Sequence, residues 1–267
     1  MSNELKPSDF ATAAQPVVAE SLIITDTSGL VAGSVQLPTA RGEIPAYRAV
    51  PERQSGLPVV LVIQEIFGVH EHIRDVVRRI AKLGYFAIAP ELYVRHGDVQ
   101  RLPSIEAIRE LVAKVPDEEV LSDLDATLAF AVQQGADGRR VGVTGFCWGG
   151  RITWLYAAHQ PNLKAGVAWY GRLVGDPTPL QPRFPVDVLG ELKAPVLGLY
   201  GAEDQGIPID TVQRVQGELE RLGSKSKVHV YPDAPHAFYA DYRSAYRKQP
   251  AEDGFRRLQN WFKDNGL

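Results

Sequence analysis

Two hydrophobic periods alternate along this chain from residue 58 onward. Residues 58–64 are a nearly continuous β-branched run, the pattern of a strand covered on both faces in a parallel sheet. Across residues 72–83 the period changes. Ile73, Val76, Val77, Ile80 and Leu83 share one helical face, and Gly84 ends the helix. Residues 85–89 give the next buried strand. Further strands are predicted at 141–144, 165–169, 194–200 and 227–231, with helices at 104–114, 118–134 and 210–222. Phe255, Leu258, Trp261 and Phe262 mark a closing amphipathic helix. Residues 171–191 carry Pro177, Pro179, Pro182 and Pro185 without a clear period, which predicts a long surface loop. Ahead of residue 58, short strands at 21–25, 30–37 and 44–50 are separated by Ser28-Gly29 and Arg41-Gly42, the pattern of an antiparallel ribbon. Residues 1–20 are polar and Ala-rich and are expected to be a flexible N-terminal segment. The alternation predicts an α/β fold over residues 21–267: one domain with a mainly parallel, doubly wound sheet and helices on both faces.

Composition narrows the function classes. With 45% hydrophobic and 23% charged residues, the chain is an ordinary globular protein. A net charge of −3 gives no reason to expect nucleic acid or an anionic membrane as partner. The single Cys cannot form an internal disulfide, so a cytoplasmic protein is expected, a monomer or small homo-oligomer acting on a small molecule. The N-terminus carries Glu4 and Asp9 and does not read as a signal peptide; no apolar run is long enough for a membrane span. No cofactor and no metal are expected. His70 and His72 lie two apart and would face away from each other on a helix, and no Gly-rich phosphate loop has the required spacing.

The chemistry centres on Gly145-Phe146-Cys147-Trp148-Gly149-Gly150. A strand precedes it and a helical pattern follows, the setting of a nucleophile elbow with Cys in place of the commoner Ser. Side chains at the flanking glycines would collide with neighbouring backbone. The plain alternative is a buried structural thiol. A nucleophilic Cys needs a base, and the base an orienting acid. His236 follows the last strand and Asp204 the one before, both at carboxyl ends, where reactive groups gather in such sheets. His96, in a loop, remains a second candidate base. Glu203, Asp233 and Asp241 compete with Asp204, and a turn-forming role is the alternative for each.

Gln64-Glu65-Ile66-Phe67-Gly68, Pro90-Glu91-Leu92-Tyr93, the Cys147 elbow, Tyr200-Gly201-Ala202-Glu203-Asp204 and His236-Ala237-Phe238 together resemble the dienelactone hydrolase family (carboxymethylenebutenolidases), from about residue 44 to 262. The resemblance implies an α/β-hydrolase fold and a Cys147-His236-Asp204 triad that cleaves an enol-lactone ester. It implies an oxyanion hole from the backbone N–H groups of Ile66 and Trp148, and a Glu65 that controls the resting thiol. A structural ion pair is the alternative for Glu65. Arg95 stands where the family carries an arginine for the substrate carboxylate; a solvated loop arginine is the alternative. A second family arginine, four residues after the His, is replaced here by Ala240, and Arg243 is a substitute within reach. Trp148, Trp169, Tyr170 and Phe238 are candidate pocket walls, although aromatic residues at strand ends are as often plain core. Rival readings are a broad esterase or thioesterase of the same fold, a lone-thiol redox protein and a non-catalytic binding module. The redox reading lacks a resolving Cys.

Overall fold

The structure, a computed structural model, describes residues 6–267. Its strands are β1 (Leu30–Thr39), β2 (Gly42–Pro51), β3 (Pro58–Ile63), β4 (Phe86–Pro90), β5 (Asp137–Phe146), β6 (Leu163–Trp169), β7 (Val196–Gly201) and β8 (Lys227–Tyr231). The helices are α1 (Glu71–Ala81), α2 (Ile105–Val112), α3 (Asp117–Gln133), α4 (Trp148–His159), α5 (Pro185–Val188), α6 (Ile209–Arg221) and α7 (Lys248–Asp264). All eight strands form one sheet, ordered β1-β2-β4-β3-β5-β6-β7-β8. The β1/β2 and β2/β4 pairs are antiparallel and the others parallel. The mainly parallel α/β sheet predicted from the periodicity is therefore present.

Burial explains the apolar runs. Every residue of β3 is buried, as is every residue of β7. Neighbouring positions of β5 show the two covered faces. A side chain at Gly142 would meet Phe262 of α7, whereas Val143 lies beside Gly166 and Thr153, the latter on α4. Successive side chains of a strand point to opposite faces, so α4 and α7 cover opposite sides of the sheet. Local signals fix the helix ends: the Ser104 hydroxyl accepts from the Ala107 N–H at 3.2 Å to start α2, and Gly84, at φ 98°, closes the turn after α1.

The sequence-predicted elements need three corrections. The strand expected at 21–25 is absent. Ser21 ends a short 3-10 turn, and the Thr25 N–H and hydroxyl bond the Asp75 carboxylate at 2.6 and 3.0 Å rather than a neighbouring strand. The loop expected at 171–191 contains α5, begun by Pro185 at its first position, where proline suits a helix start. The N-terminal segment expected to be flexible is packed over its described part. Phe10, Ala11 and Ala14 are buried in the core, and the Val18 N–H bonds the Tyr242 carbonyl at 2.9 Å. Residues 1–5 of that segment lie outside the described residues. Among the described residues no helix is long and apolar enough to cross a membrane.

Candidate active site

Strand order reverses beside β3, because β4 lies on one side of it and β5 on the other. Ligands of open α/β sheets bind outside the carboxyl ends of the strands at such a point. A cleft of about 880 Å³ opens there. Its walls follow five strands: Glu65, Ile66 and Phe67 after β3; Cys147 and Trp148 after β5; Tyr170 and Arg172 after β6; Glu203 to Ile207 after β7; Pro235 and His236 after β8.

Cys147 sits between β5 and α4 with φ 54° and ψ −114°. Its N–H bonds the Trp169 carbonyl at 3.0 Å, which ties the elbow to β6. A Cβ at Gly149 would come 2.5 Å from the Gln64 carbonyl oxygen, and one at Gly150 2.5 Å from that of Trp169. The glycines therefore admit backbone where no side chain fits. Four non-glycine described residues have positive φ, and three of them, Cys147, Tyr170 and Ala237, lie in or beside this cleft. Such conformations cost roughly 1–3 kcal/mol each and cluster at functional sites. Trp148 is the first residue of α4, so its N–H has no carbonyl partner within the helix.

Asp204 is buried, and its two oxygens have separate partners. Oδ1 accepts from the N–H groups of Gly206 and Ile207 at 2.8 and 3.1 Å, which makes the turn. Oδ2 lies 2.6 Å from Nδ1 of half-buried His236. Burial opposes charge on His236, but the electrostatic pull of Cys147, the Asp204 bond and a hydrogen bond to Cys147 outweigh this and raise its pKa to about 10.

Glu65 is buried at the cleft wall. The Tyr242 hydroxyl donates to its Oε2 at 2.9 Å, and His70 Nε2 lies 3.4 Å from the same oxygen. Burial alone would raise the Glu65 pKa; the His70 hydrogen bond, with the electrostatic pull of the basic residues around it, Arg243 among them, prevails and lowers it to about 2. Burial also pushes the His70 pKa down, so the neutral ring with a proton on Nε2 suits this contact. Arg243 lies over the Phe67 ring, 5.5 Å from its centroid, and reaches the cleft wall as the sequence allowed. Fully buried Tyr170 also lines the cleft, and its hydroxyl has no hydrogen-bond partner among the described residues. Burial, then the nearby Glu65 and Cys147, hold this phenol neutral, with a pKa well above its ordinary value.

Two sequence-predicted binding residues lie elsewhere. The Arg95 guanidinium is engaged by both oxygens of Asp123, at 2.6 and 3.2 Å, and by Glu119 at 3.3 Å; it is not part of the cleft wall. Phe238 is fully buried among Trp169, Tyr170 and Tyr231 and belongs to the core, as does Trp169. The alternative base His96 pairs with Glu119 at 3.0 Å, also off the cleft. The competing acid Asp241 pairs with His72 and Arg79. Sequence reasoning missed Tyr242 and His70 as partners of Glu65. It also missed the second wall of the cleft, which includes Ile105, Arg109 and Phe184. His70, five residues past Glu65, was a local signal for one contact; nothing local pairs Glu65 with Tyr242.

Comparison with known proteins agrees with this fold. The profile of the dienelactone hydrolase family matches residues 44–266. A Methylorubrum extorquens protein named "Putative carboxymethylenebutenolidase" is 60% identical over 260 residues, covering 97% of this chain and 89% of its own. An Escherichia coli K12 protein of the same name is 52% identical over 261 residues, covering 97% and 96%. The crystal structure of the "Putative Dienelactone Hydrolase from Klebsiella pneumoniae subsp. pneumoniae MGH 78578" superposes with a TM-score of 0.86 at 52% identity, covering 88% of this chain and 98% of that one. The chain belongs to the dienelactone hydrolase family and is a carboxylic ester hydrolase.

Proposed function

We propose that the protein hydrolyses an ester or lactone, with a dienelactone-like enol-lactone as the model substrate, through a Cys147-His236-Asp204 triad. One observation carries this reading: His236, held at 2.6 Å by Asp204, shares a cleft with a cysteine on a strained elbow. The Cys147 thiolate attacks the ester carbonyl carbon. The Ile66 and Trp148 N–H groups stabilise the oxyanion. Collapse breaks the C–O bond, leaves a thioester on Cys147 and passes the His236 proton to the leaving oxygen. His236 then takes a proton from water, and the resulting hydroxide equivalent cleaves the thioester to acid and restored thiolate. Asp204 fixes the ring orientation throughout. Tyr170, a neutral donor with no hydrogen-bond partner among the described residues, hydrogen-bonds the substrate. The partner is a small molecule, and the single Cys suits the cytoplasm.

Cys147→Ala should lower hydrolysis by at least ~10³-fold with the fold intact. Normal turnover by a folded Cys147→Ala protein would end the nucleophile assignment. A second reading, a broad esterase or thioesterase without carboxylate preference, is favoured by the engagement of Arg95 with Asp123 and Glu119. Values of kcat/KM for matched lactones and esters, with and without a carboxylate, separate the two.

A further inference from the structure

The cleft is larger than the proposed chemistry needs. Its volume of about 880 Å³ lies near the top of the roughly 300–1,000 Å³ typical of sites for drug-sized molecules. The reacting groups occupy the end nearest the strand tips. The remaining wall includes Ile105, Val112 and Ala113 at α2 and Phe184 just before α5, four residues with no proton or nucleophile to offer, with Arg109, Arg172 and Gln181 around them. This wall is built rather than incidental. Gln181 Nε2 donates to the Val112 carbonyl at 3.0 Å and fastens the 171–184 loop to α2. Arg151, held bidentately by Asp117 at 2.7 Å on both nitrogens, lies over the Phe184 ring, 4.8 Å from its centroid. Val112 and Phe184 are themselves largely buried, so the surface they present is fixed.

The side of the substrate that meets this wall follows from the chemistry. His236 must stand beside the leaving oxygen to protonate it, and its neighbours are the turns after β7 and β8. Phe184 instead stacks on Arg151, three residues past Trp148, whose N–H is assigned to the carbonyl oxygen. The apolar wall is thus on the acyl side. We infer that this compartment receives an extended apolar acyl chain, so that esters of medium-chain acids are preferred over acetates. The inference rests on the hydrolase reading above.

The test uses purified full-length protein and two substrate series: p-nitrophenyl esters with acyl chains of two to eight carbons, and acetate esters of alcohols of increasing length. From acetyl to octanoyl, kcat/KM should rise at least ~10-fold, as expected for partial burial of the added methylenes. Ala113→Trp, at an exposed position, should pull the octanoyl-to-acetyl ratio back by ~10-fold; Ile105→Trp repeats the test should the first variant misfold. A flat acyl series, a preference confined to the alcohol series, or a ratio indifferent to both substitutions would overturn the acyl compartment while leaving the hydrolase reading standing. Absence of turnover on every ester of either series would sink both.

Discussion

Cys147 acts on the charge of His236, and this makes the pair testable residue by residue. Burial opposes the raised pKa of His236, about 10, and the electrostatic interaction with Cys147 is its largest favourable cause. A group raised in this way adds stability that is fully present below its unfolded value near 6.5 and is lost as pH rises through about 10. Cys147→Ala removes that cause, so the His236 ring should titrate at lower pH in an NMR titration of the variant. An unmoved midpoint would mean that Asp204 alone sets the charge. Glu65 lines the same cleft, and its proposed role is to act on this pair, since a carboxylate disfavours a thiolate nearby. Glu65→Gln keeps an acceptor for Tyr242 but removes the charge, and alkylation of Cys147 near neutral pH should become faster. An unchanged alkylation profile would make Glu65 a packing residue. The meeting of Cys147, His236 and Asp204 around one cleft was legible in the sequence because each is announced by its own strand end and turn. Arg95 was misread because a guanidinium's partner is chosen in three dimensions; here Asp123, 28 residues away, claims it. The bond between Tyr242 and Glu65 spans 177 residues and left no local trace.

The elements were legible wherever period and burial agree, as in β3 and α1, and illegible where a tertiary bond replaces a local one. Residues 21–25 have strand-like composition, yet Asp75 of α1 takes the Thr25 backbone N–H that a sheet partner would have used. Proline signalled loop at Pro185 and instead opened α5, because only the folded chain distinguishes a helix start from a turn. The elbow is the junction at which three elements must approach at backbone distance. Gly149→Ala would drive a Cβ to 2.5 Å from the Gln64 carbonyl oxygen and 2.6 Å from that of Ile63, both backbone atoms that cannot swing aside. Overpacking of this kind costs about 1–3 kcal/mol, and here it would also displace the Trp148 N–H by parting α4 from β3. The urea midpoint of Gly149→Ala should fall accordingly, and kcat should drop by ~10²-fold or more, since small misplacements at a reacting centre are that costly. Wild-type stability and turnover together would show that the elbow tolerates a wider gap than its geometry indicates.

At the scale of the whole molecule, the N-terminal segment is wired to the active site from behind. Phe10 stacks on Tyr242 at a centroid distance of 5.5 Å and meets His70 edge-on at 5.8 Å, and these two residues hold Glu65. The Ser21 hydroxyl donates to the Asp241 carbonyl at 2.5 Å, and Asp241 in turn pairs with His72 at 3.0 Å and with Arg79. The segment thus spans the start of α1 and the loop that follows His236, the two parts of the chain that bring His70 and Tyr242 to Glu65. Ala-rich polar sequence gave no sign of this, because one aromatic residue, Phe10, makes the decisive contact. Phe10→Ala removes a ring that is 6% exposed, and core truncations of this kind cost about 3–5 kcal/mol. The urea midpoint should therefore drop. Cys147 alkylation should change in the same variant, because Tyr242 and His70 lose the face that holds them against Glu65. Glu65, at a pKa of about 2, adds stability above its unfolded value near 4.5 that is lost as pH falls toward 2. A loosened clamp should therefore bring acid unfolding of Phe10→Ala to higher pH than in the wild type. Removal of residues 1–20 should reproduce all three effects. A truncated protein with wild-type stability, alkylation and acid limb would reduce the segment to a passenger on the surface and leave Tyr242 and His70 to hold Glu65 unaided.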